Sequence, residues 1–440
     1  MSLRRTLGTT DLTLLVIGNV IGSGIFIVPS SVLRQSGGSV TAASLVWLVG
    51  GILSLLGALS YGELASMEGG SGGLYGFIRD GFGRFPAFLY GWTLFFVIGA
   101  GTIATLAVAA ASYMGQFTEL SELTKKLIAV ALIAVMAIIN VRGTRGSASV
   151  QNVATGIKVG AIVVMSAILF AMGKGGDGAV AAVATPAAAS SITLSGVGLA
   201  VISVLWAYEG WQYVTFADGE ALDPQRSLPR AIALGTAALV LIYLTANFAY
   251  LAALGPVRVA ASERVAGEAV AVVLGPWAGQ LIAVAIIISM YSAAHATVIT
   301  APRVYYAMAR DRLFFARIAE VHPRFGTPAV AIVASCLWSM VLAATGTFEQ
   351  LLTYVVFVGW IFYALGAAAV IALRIKRPEA KRPFKVPGYP LTPALFVVAA
   401  AAIVGNTIWS QPGQAAIGLG VVLLGAPAYY VWRRRAASTE

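Results

Sequence analysis

Apolar residues in this chain come in long unbroken runs rather than in alternation with polar ones. Leu127 to Ile139 contains no charged side chain, and neither does Leu391 to Ser410. Crossing the hydrocarbon core of a bilayer takes about 20 apolar residues in a helix. By that measure the chain holds about twelve spans, at 12–33, 41–67, 85–113, 126–141, 151–173, 194–217, 230–254, 276–308, 329–345, 350–373, 392–409 and 414–432. The first is too long, and followed by too many others, to read as a cleaved signal peptide. The pattern predicts an all-α integral membrane protein, one transmembrane domain over 1–440. The longest stretches without a helical pattern are 174–193, rich in Ala and Gly, and 374–390, where prolines forbid a continuous helix and charges hold the segment at the membrane surface.

Two spans carry matching interruptions. The first reads I-G-N-V-I-G-S-G-I-F at 17–26, and the sixth holds Glu209 and Gly210 in its middle, in W-A-Y-E-G-W-Q. A glycine inside a helix weakens it by about 1 kcal/mol relative to alanine. Several together at mid-span predict that the helix unwinds, and unwound backbone at membrane depth persists only where protein or an aqueous cavity satisfies it. Interrupted spans standing first and sixth make the pattern of a five-plus-five inverted repeat, the arrangement of secondary transporters with substrate at the breaks. The repeats would cover about 12–173 and 194–373, leaving extra helices at about 392–432.

Composition strengthens the membrane reading. Apolar residues make up 59% of the chain and charged ones 11%, against about 25% charged in soluble domains. The net charge of +11 does not call for a nucleic acid, because most Lys and Arg fall on the loops that share a side with both termini. That asymmetry places both termini in the cytoplasm of a cell (inner) membrane. The single cysteine, Cys336, lies inside an apolar run and reads as a small core residue. No cofactor and no metal site is expected: the two histidines, His295 and His322, are too few for a histidine cluster, and no H-E-x-x-H motif is present.

The breaks suggest the ligand. The start of a half-helix offers free N–H groups to a carboxylate, and the end of the preceding one offers carbonyls to an ammonium. An amino acid carries both groups. Gly22, Ser23 and Gly24, flanked by Ile21 and Ile25, are therefore expected at the carboxylate. The carbonyls of Ile21, Trp206 and Ala207 are expected at the ammonium, with Trp206 and Tyr208 closing over the substrate beside Glu209.

Lys158, in G-I-K-V-G-A-I-V-V-M of the fifth span, is the most informative charge. A lysine at the centre of a span costs about 2.5–3.5 kcal/mol on insertion scales and reads as functional, although snorkelling to the interface is open to it. Its ammonium would stand where a sodium ion otherwise sits, holding the carbonyls of the first break together with Tyr208 and Ser292 or Thr297. Glu209 reads equally as a recogniser of cationic side chains, a proton carrier or a neutralised cavity group. Glu63 reads as a helix-end charge, and His295 as packed and neutral.

Taken in order, the stretches I-G-S-G-I-F (21–26), Y-G-E-L (61–64), G-G-L-Y-G-F (72–77), F-L-Y-G-W (88–92), W-A-Y-E-G-W-Q-Y-V (206–214), D-P-Q-R-S-L-P-R-A-I (223–232), R-V-Y-Y-A-M-A-R-D (303–311), T-P (327–328) and R-P-F-K-V-P (382–387) resemble the L-type amino acid transporter family of the amino acid–polyamine–organocation superfamily. The resemblance implies a LeuT-type fold with broken helices one and six. It also implies alternating access, commonly by obligatory exchange, a gate at Trp206, and sodium independence where a lysine stands at 158. Trp206 is bulkier than the family's usual phenylalanine, and His295 stands where a small amide is expected. An acidic residue at 209 goes with relatives that accept cationic substrates. Members that pair with a heavy subunit do so through a cysteine between spans three and four; loop 114–125 has none, so no such partner is expected. The expectation is a sodium-independent exchanger of neutral L-amino acids. The alternative is a proton-coupled symporter that extends to cationic amino acids.

Overall fold

The computed structural model describes residues 7–67, 73–142, 147–173, 192–320, 322–325 and 327–437. The stretch 174–193 read as non-helical falls outside them except for its last two residues, as do Arg4, Arg5, Arg145 and Lys174 of the charge asymmetry and Gly72 of the family stretches. The described residues are almost wholly helical, and their one β-bridge joins Leu7 to Ala221. The first span is α1 (Thr9–Val20) and α2 (Gly24–Gln35), bent by 49° at the residues between them. Then follow α3 (Val40–Ser66), the short α4 (Leu74–Phe82), α5 (Arg84–Met114), α6 (Glu122–Arg142) and α7 (Ser147–Met172). The sixth span starts as α8 (Leu194–Ala207) and continues as a 3-10 segment, Trp211–Glu220. The rest is α9 (Pro224–Ala261), the short α10 (Val265–Leu274), α11 (Pro276–Arg310), α12 (Ala329–Thr345), α13 (Phe348–Lys376), α14 (Leu391–Ser410) and α15 (Pro412–Ala437).

Ten of these helices are long and apolar enough to cross a membrane, and the bent pair raises the number to eleven. The remaining expected span, α12, has 17 residues, about 25 Å of helix, somewhat short of a hydrocarbon core. Two elements were not anticipated, α4 and α10. Each is too short for a hydropathy window and each joins longer helices.

Sequence signals for the starts are local. Ser39 accepts from the Ala42 N–H at the head of α3, Thr193 accepts from Gly196 N at α8, and Thr347 with Gln350 forms a capping box at α13. Large apolar side chains remain exposed in stripes, such as Leu45, Leu48, Val49 and Ile52 on α3. Spaced three and four apart, they form one face of a helix, the face a span turns to lipid. The protein is a multi-pass membrane protein.

α9 packs along both α3 and α1, and α7 packs on α1. α11 packs on the second half of α5. The two broken segments thus lie inside a shell of continuous helices. One end of the molecule opens into a vestibule of about 560 Å³ bordered by Arg34, Ser112, Lys125, Ser203 and Phe348. At the opposite end Glu63 is buried, with Arg374 donating to it from Nε at 2.9 Å and Nη2 at 2.7 Å and the Val386 N–H at 2.8 Å, while Arg382 forms an ion pair with it at 3.4 Å. Arg374 also lies over the Tyr389 ring at 3.7 Å. The expected helix-end charge is therefore a buried tie that straps the 377–390 segment across the tail of α3.

Candidate functional site

At the first break the chain leaves the helix at Ile21, which has extended backbone (φ −71°, ψ 90°). It re-enters with Ser23 as N-cap of α2. Three carbonyls at the end of α1 are engaged by protein groups. Lys158 Nζ stands 3.4 Å from both Gly18 O and Ile21 O, the Ser289 hydroxyl donates to Ile21 O at 3.3 Å, and the Tyr243 hydroxyl donates to Val20 O at 3.2 Å. Lys158 is 7% exposed, so it points inward at the break and does not snorkel. The amide end differs: the N–H groups of Phe26 and Ile27 bond back to Ser23 O, while among the described residues no bond engages those of Gly22, Ser23, Gly24 or Ile25.

The sixth span stops being α-helical at Ala207 because Tyr208 and Glu209 turn and Gly210 takes φ +122°, a conformation that favours glycine. The two breaks touch. A Cβ on Gly24 would lie 2.4 Å from Ala207 Cα, closer than any side chain tolerates, so only glycine at 24 lets the backbones meet.

Between them lies a cavity with about 20 Å³ free, space for about one water. Gly22, Ser23 and Gly24 form one wall, and Trp206 and Glu209 another. Asn19, Val20, Thr102, Leu106, Tyr213 and Thr297 complete it. The Trp206 indole donates from Nε1 to the Ser23 hydroxyl at 3.1 Å and meets Phe348 edge-on at 6.4 Å. Phe348 borders the vestibule, so Trp206 is the partition between vestibule and cavity. Glu209 accepts from Gln212 Nε2 at 2.5 Å and from the Tyr363 hydroxyl, and has only neutral donors around it.

The structure brings Gly22, Ser23, Gly24, Trp206 and Glu209 together and separates others. Ile21 is buried outside the cavity, with its carbonyl engaged by Lys158 and Ser289, which turns it away from a substrate ammonium. Ile25 is buried outside it as well. Ala207 serves as the floor on which Gly24 rests. Tyr208, expected at both sites, reaches neither: it packs against Trp47 and Tyr243, and its hydroxyl has no partner among the described residues. Ser292 is half-buried and bonds to neither Lys158 nor Ile21; the hydroxyl that does is Ser289, one turn earlier. Thr297 lines the cavity and donates to Ala293 O of its own helix. His295 stacks beside Tyr291 and is not on the cavity wall. Asn19, Val20, Thr102, Leu106 and Tyr213 were missed. Asn19 lies two residues before Ile21 in the quoted run, and Tyr213 four after Glu209; those spacings are the only sequence signal.

Two interrupted spans meeting at a small polar cavity, reached from a wide vestibule and sealed at the far end, define a membrane carrier. The chain belongs to the amino acid permease family, whose sequence pattern it matches over residues 7–427. Among similar proteins, the serine/threonine exchanger SteT of Bacillus subtilis (strain 168) is 32% identical, covering 99% of this chain and 98% of that protein. The large neutral amino acids transporter small subunit 2 of Mus musculus is 30% identical, covering 98% of this chain and 81% of that protein. The cystine/glutamate transporter of Homo sapiens is 32% identical, covering 95% and 83%. Amino acid transport is the activity of the family to which this chain belongs.

Proposed function

We propose that the protein exchanges neutral L-amino acids across the cell membrane without sodium, by alternating access, with both termini in the cytoplasm. The observation that carries this reading is Lys158 Nζ on the Gly18 and Ile21 carbonyls. Unwound carbonyls at membrane depth need a positive partner. Here the Lys158 amino group, part of the protein itself, supplies it, so no sodium ion has to bind for the break to hold its shape. The open N–H groups of Gly22, Ser23 and Gly24 take the substrate carboxylate. The Asn19 carbonyl, whose residue lines the cavity, takes the ammonium in this reading, the Ile21 carbonyl being engaged. Trp206 closes over the substrate from the vestibule. The relatives named as exchanger and transporter support amino acid transport as the activity.

Glu209 supports a second reading. It lines the cavity with only neutral donors, which suits a carboxyl that gains and loses a proton or meets a cationic side chain. Under that reading the protein is a proton-coupled symporter that also accepts cationic amino acids. One of the relatives is by its name a small subunit. This chain has a single cysteine, Cys336, buried in α12, so we propose that it works without a disulfide-linked heavy subunit.

Sealed liposomes, loaded with unlabelled amino acid or left empty, separate the readings. Exchange requires internal substrate and ignores a pH gradient. Symport fills empty liposomes when a proton gradient is imposed. Arginine uptake lost in Glu209→Gln, with alanine uptake retained, assigns the carboxylate to cationic substrates; equal effects on both refute that role.

A further inference from the structure

At the end of the molecule away from the vestibule, three helix ends gather around the turn at 80–84. Arg84 opens α5, Lys376 and Arg377 stand at the tail of α13, and the last turns of α15 carry Arg433, Arg434 and Arg435. Lys376 Nζ donates to Gly81 O at 2.6 Å, and Arg377 pairs with Asp80 at 3.3 Å. These contacts bring the tail of α13 to the turn. The tail of α15 reaches it through ring contacts: Phe85 meets Tyr429 at 5.1 Å and Tyr430 at 6.2 Å, and Phe88 meets Trp432 at 6.0 Å.

The charges at this corner do not cancel. Asp80 is spent on Arg79 and Arg377, at 3.3 Å each, and Glu379 lies two residues past Arg377. Arg84 and Arg433 are exposed, and neither pairs with a carboxylate among the described residues. The vestibule end is different, for there Arg34, Lys125 and Lys126 share the wall with Glu122, Glu263 and Glu349.

Each unneutralised cation has an exposed apolar neighbour in the chain. Phe82 is 38% exposed two residues before Arg84, Ile375 is 74% exposed just before Lys376, and Tyr430 and Val431 are 54% and 51% exposed just before Arg433. A free phosphate would use the cations and leave the apolar rim bare. A phospholipid uses both: its chains cover the rim, and its headgroup lies at the depth where tyrosine and tryptophan gather. Each Lys or Arg at such a surface adds to the attraction for an anionic headgroup. The protein itself fastens α15 lightly, since Tyr429 is the one aromatic side chain of that helix that is buried among the described residues.

We propose that this corner is a binding site for an anionic phospholipid. The headgroup meets Arg84 and Arg433, and the acyl chains lie against the rim of Phe82 and Tyr430. The lipid thereby fastens the tail of α15 to the head of α5 and the tail of α13. The site is remote from the cavity between the breaks and does not depend on which amino acid is carried.

The test offers phosphatidylglycerol or phosphatidylcholine to the full-length protein, stripped of lipid in detergent, and counts retained lipid by native mass spectrometry. Phosphatidylglycerol is expected to be preferred at least about tenfold and to raise the melting temperature, and inorganic phosphate is expected to leave that temperature unchanged. Arg84→Gln combined with Arg433→Gln is expected to abolish most of the preference. Arg226→Gln combined with Arg230→Gln changes two exposed arginines at the head of α9, on the same end of the molecule, and is expected to keep it. Where the first pair does not fold, Arg433→Gln alone carries the test, with a loss of about fivefold. Equal retention of the two lipids overturns the proposal. Equal loss in both arginine pairs overturns it in favour of a general surface attraction. A melting shift with phosphate that matches the lipid's overturns it in favour of a soluble-anion site.

Discussion

The two breaks are built to opposite plans. At the first, three carbonyls of α1 are held from outside by Lys158, Ser289 and Tyr243, while the amide end of α2 stays open. At the sixth, no charged side chain among the described residues holds the backbone: Gly210 makes the turn, the chain continues as a 3-10 helix, and two side chains, Trp206 and Glu209, face the cavity. The first break is rigid backbone chemistry and suits the part shared by every amino acid. The second is side-chain chemistry and suits gating and selection. An unwound helix in a membrane thus needs its carbonyls satisfied by the protein if its amides are to be kept for a ligand.

The largest effect that breaks this comparison comes from Lys158→Met. It removes a cation from two buried carbonyls, and charged hydrogen bonds contribute about 1.5–3 kcal/mol each. Exchange in proteoliposomes is expected to fall at least about a hundredfold. Retention of normal exchange would mean that the first break is held by its hydroxyl donors alone. Gly24→Ala comes next. Its Cβ has no room against the Ala207 backbone, and overpacking costs about 1–3 kcal/mol, so thermal stability in detergent and exchange are both expected to drop. A variant of wild-type stability would show that the two breaks are free to separate.

At the sixth break, Trp206→Ala is expected to raise the KM for exchange by about tenfold, because it removes the partition and a hydrogen bond worth about 1 kcal/mol together with ring packing. An unchanged KM would take the closing role from Trp206. Ser289→Ala deletes one of the groups on the Ile21 carbonyl and leaves Lys158 in place, so a loss of only a fewfold in exchange rate is expected. A loss as deep as that of Lys158→Met would make the hydroxyl, and not the ammonium, the principal support.

The spans and both breaks were legible in the sequence because apolar runs and mid-span glycines are local signals. Lys158 and Glu209 stood out because a charge in an apolar run has few explanations. What failed was facing. Ser289 and Ser292 are one turn apart on α11, and helical periodicity places both on nearly the same face, so only the position of the Ile21 carbonyl chooses between them. Tyr208 was assigned to the cavity as if the helix ended in register. The turn at 208–210 and the change to three residues per turn instead send Tyr208 to Trp47 and bring Tyr213 inward. Glu63 was undervalued because its partners, Arg374, Arg382 and the Val386 amide, lie more than 300 residues further along.

The central claim is that Lys158 does the work of a sodium ion, and it is tested most directly by measuring amino acid exchange of the wild-type protein and of Lys158→Ala in liposomes with sodium present or wholly replaced by choline. The account predicts equal wild-type exchange in both media and little in the variant. Wild-type exchange that collapses in choline would contradict it.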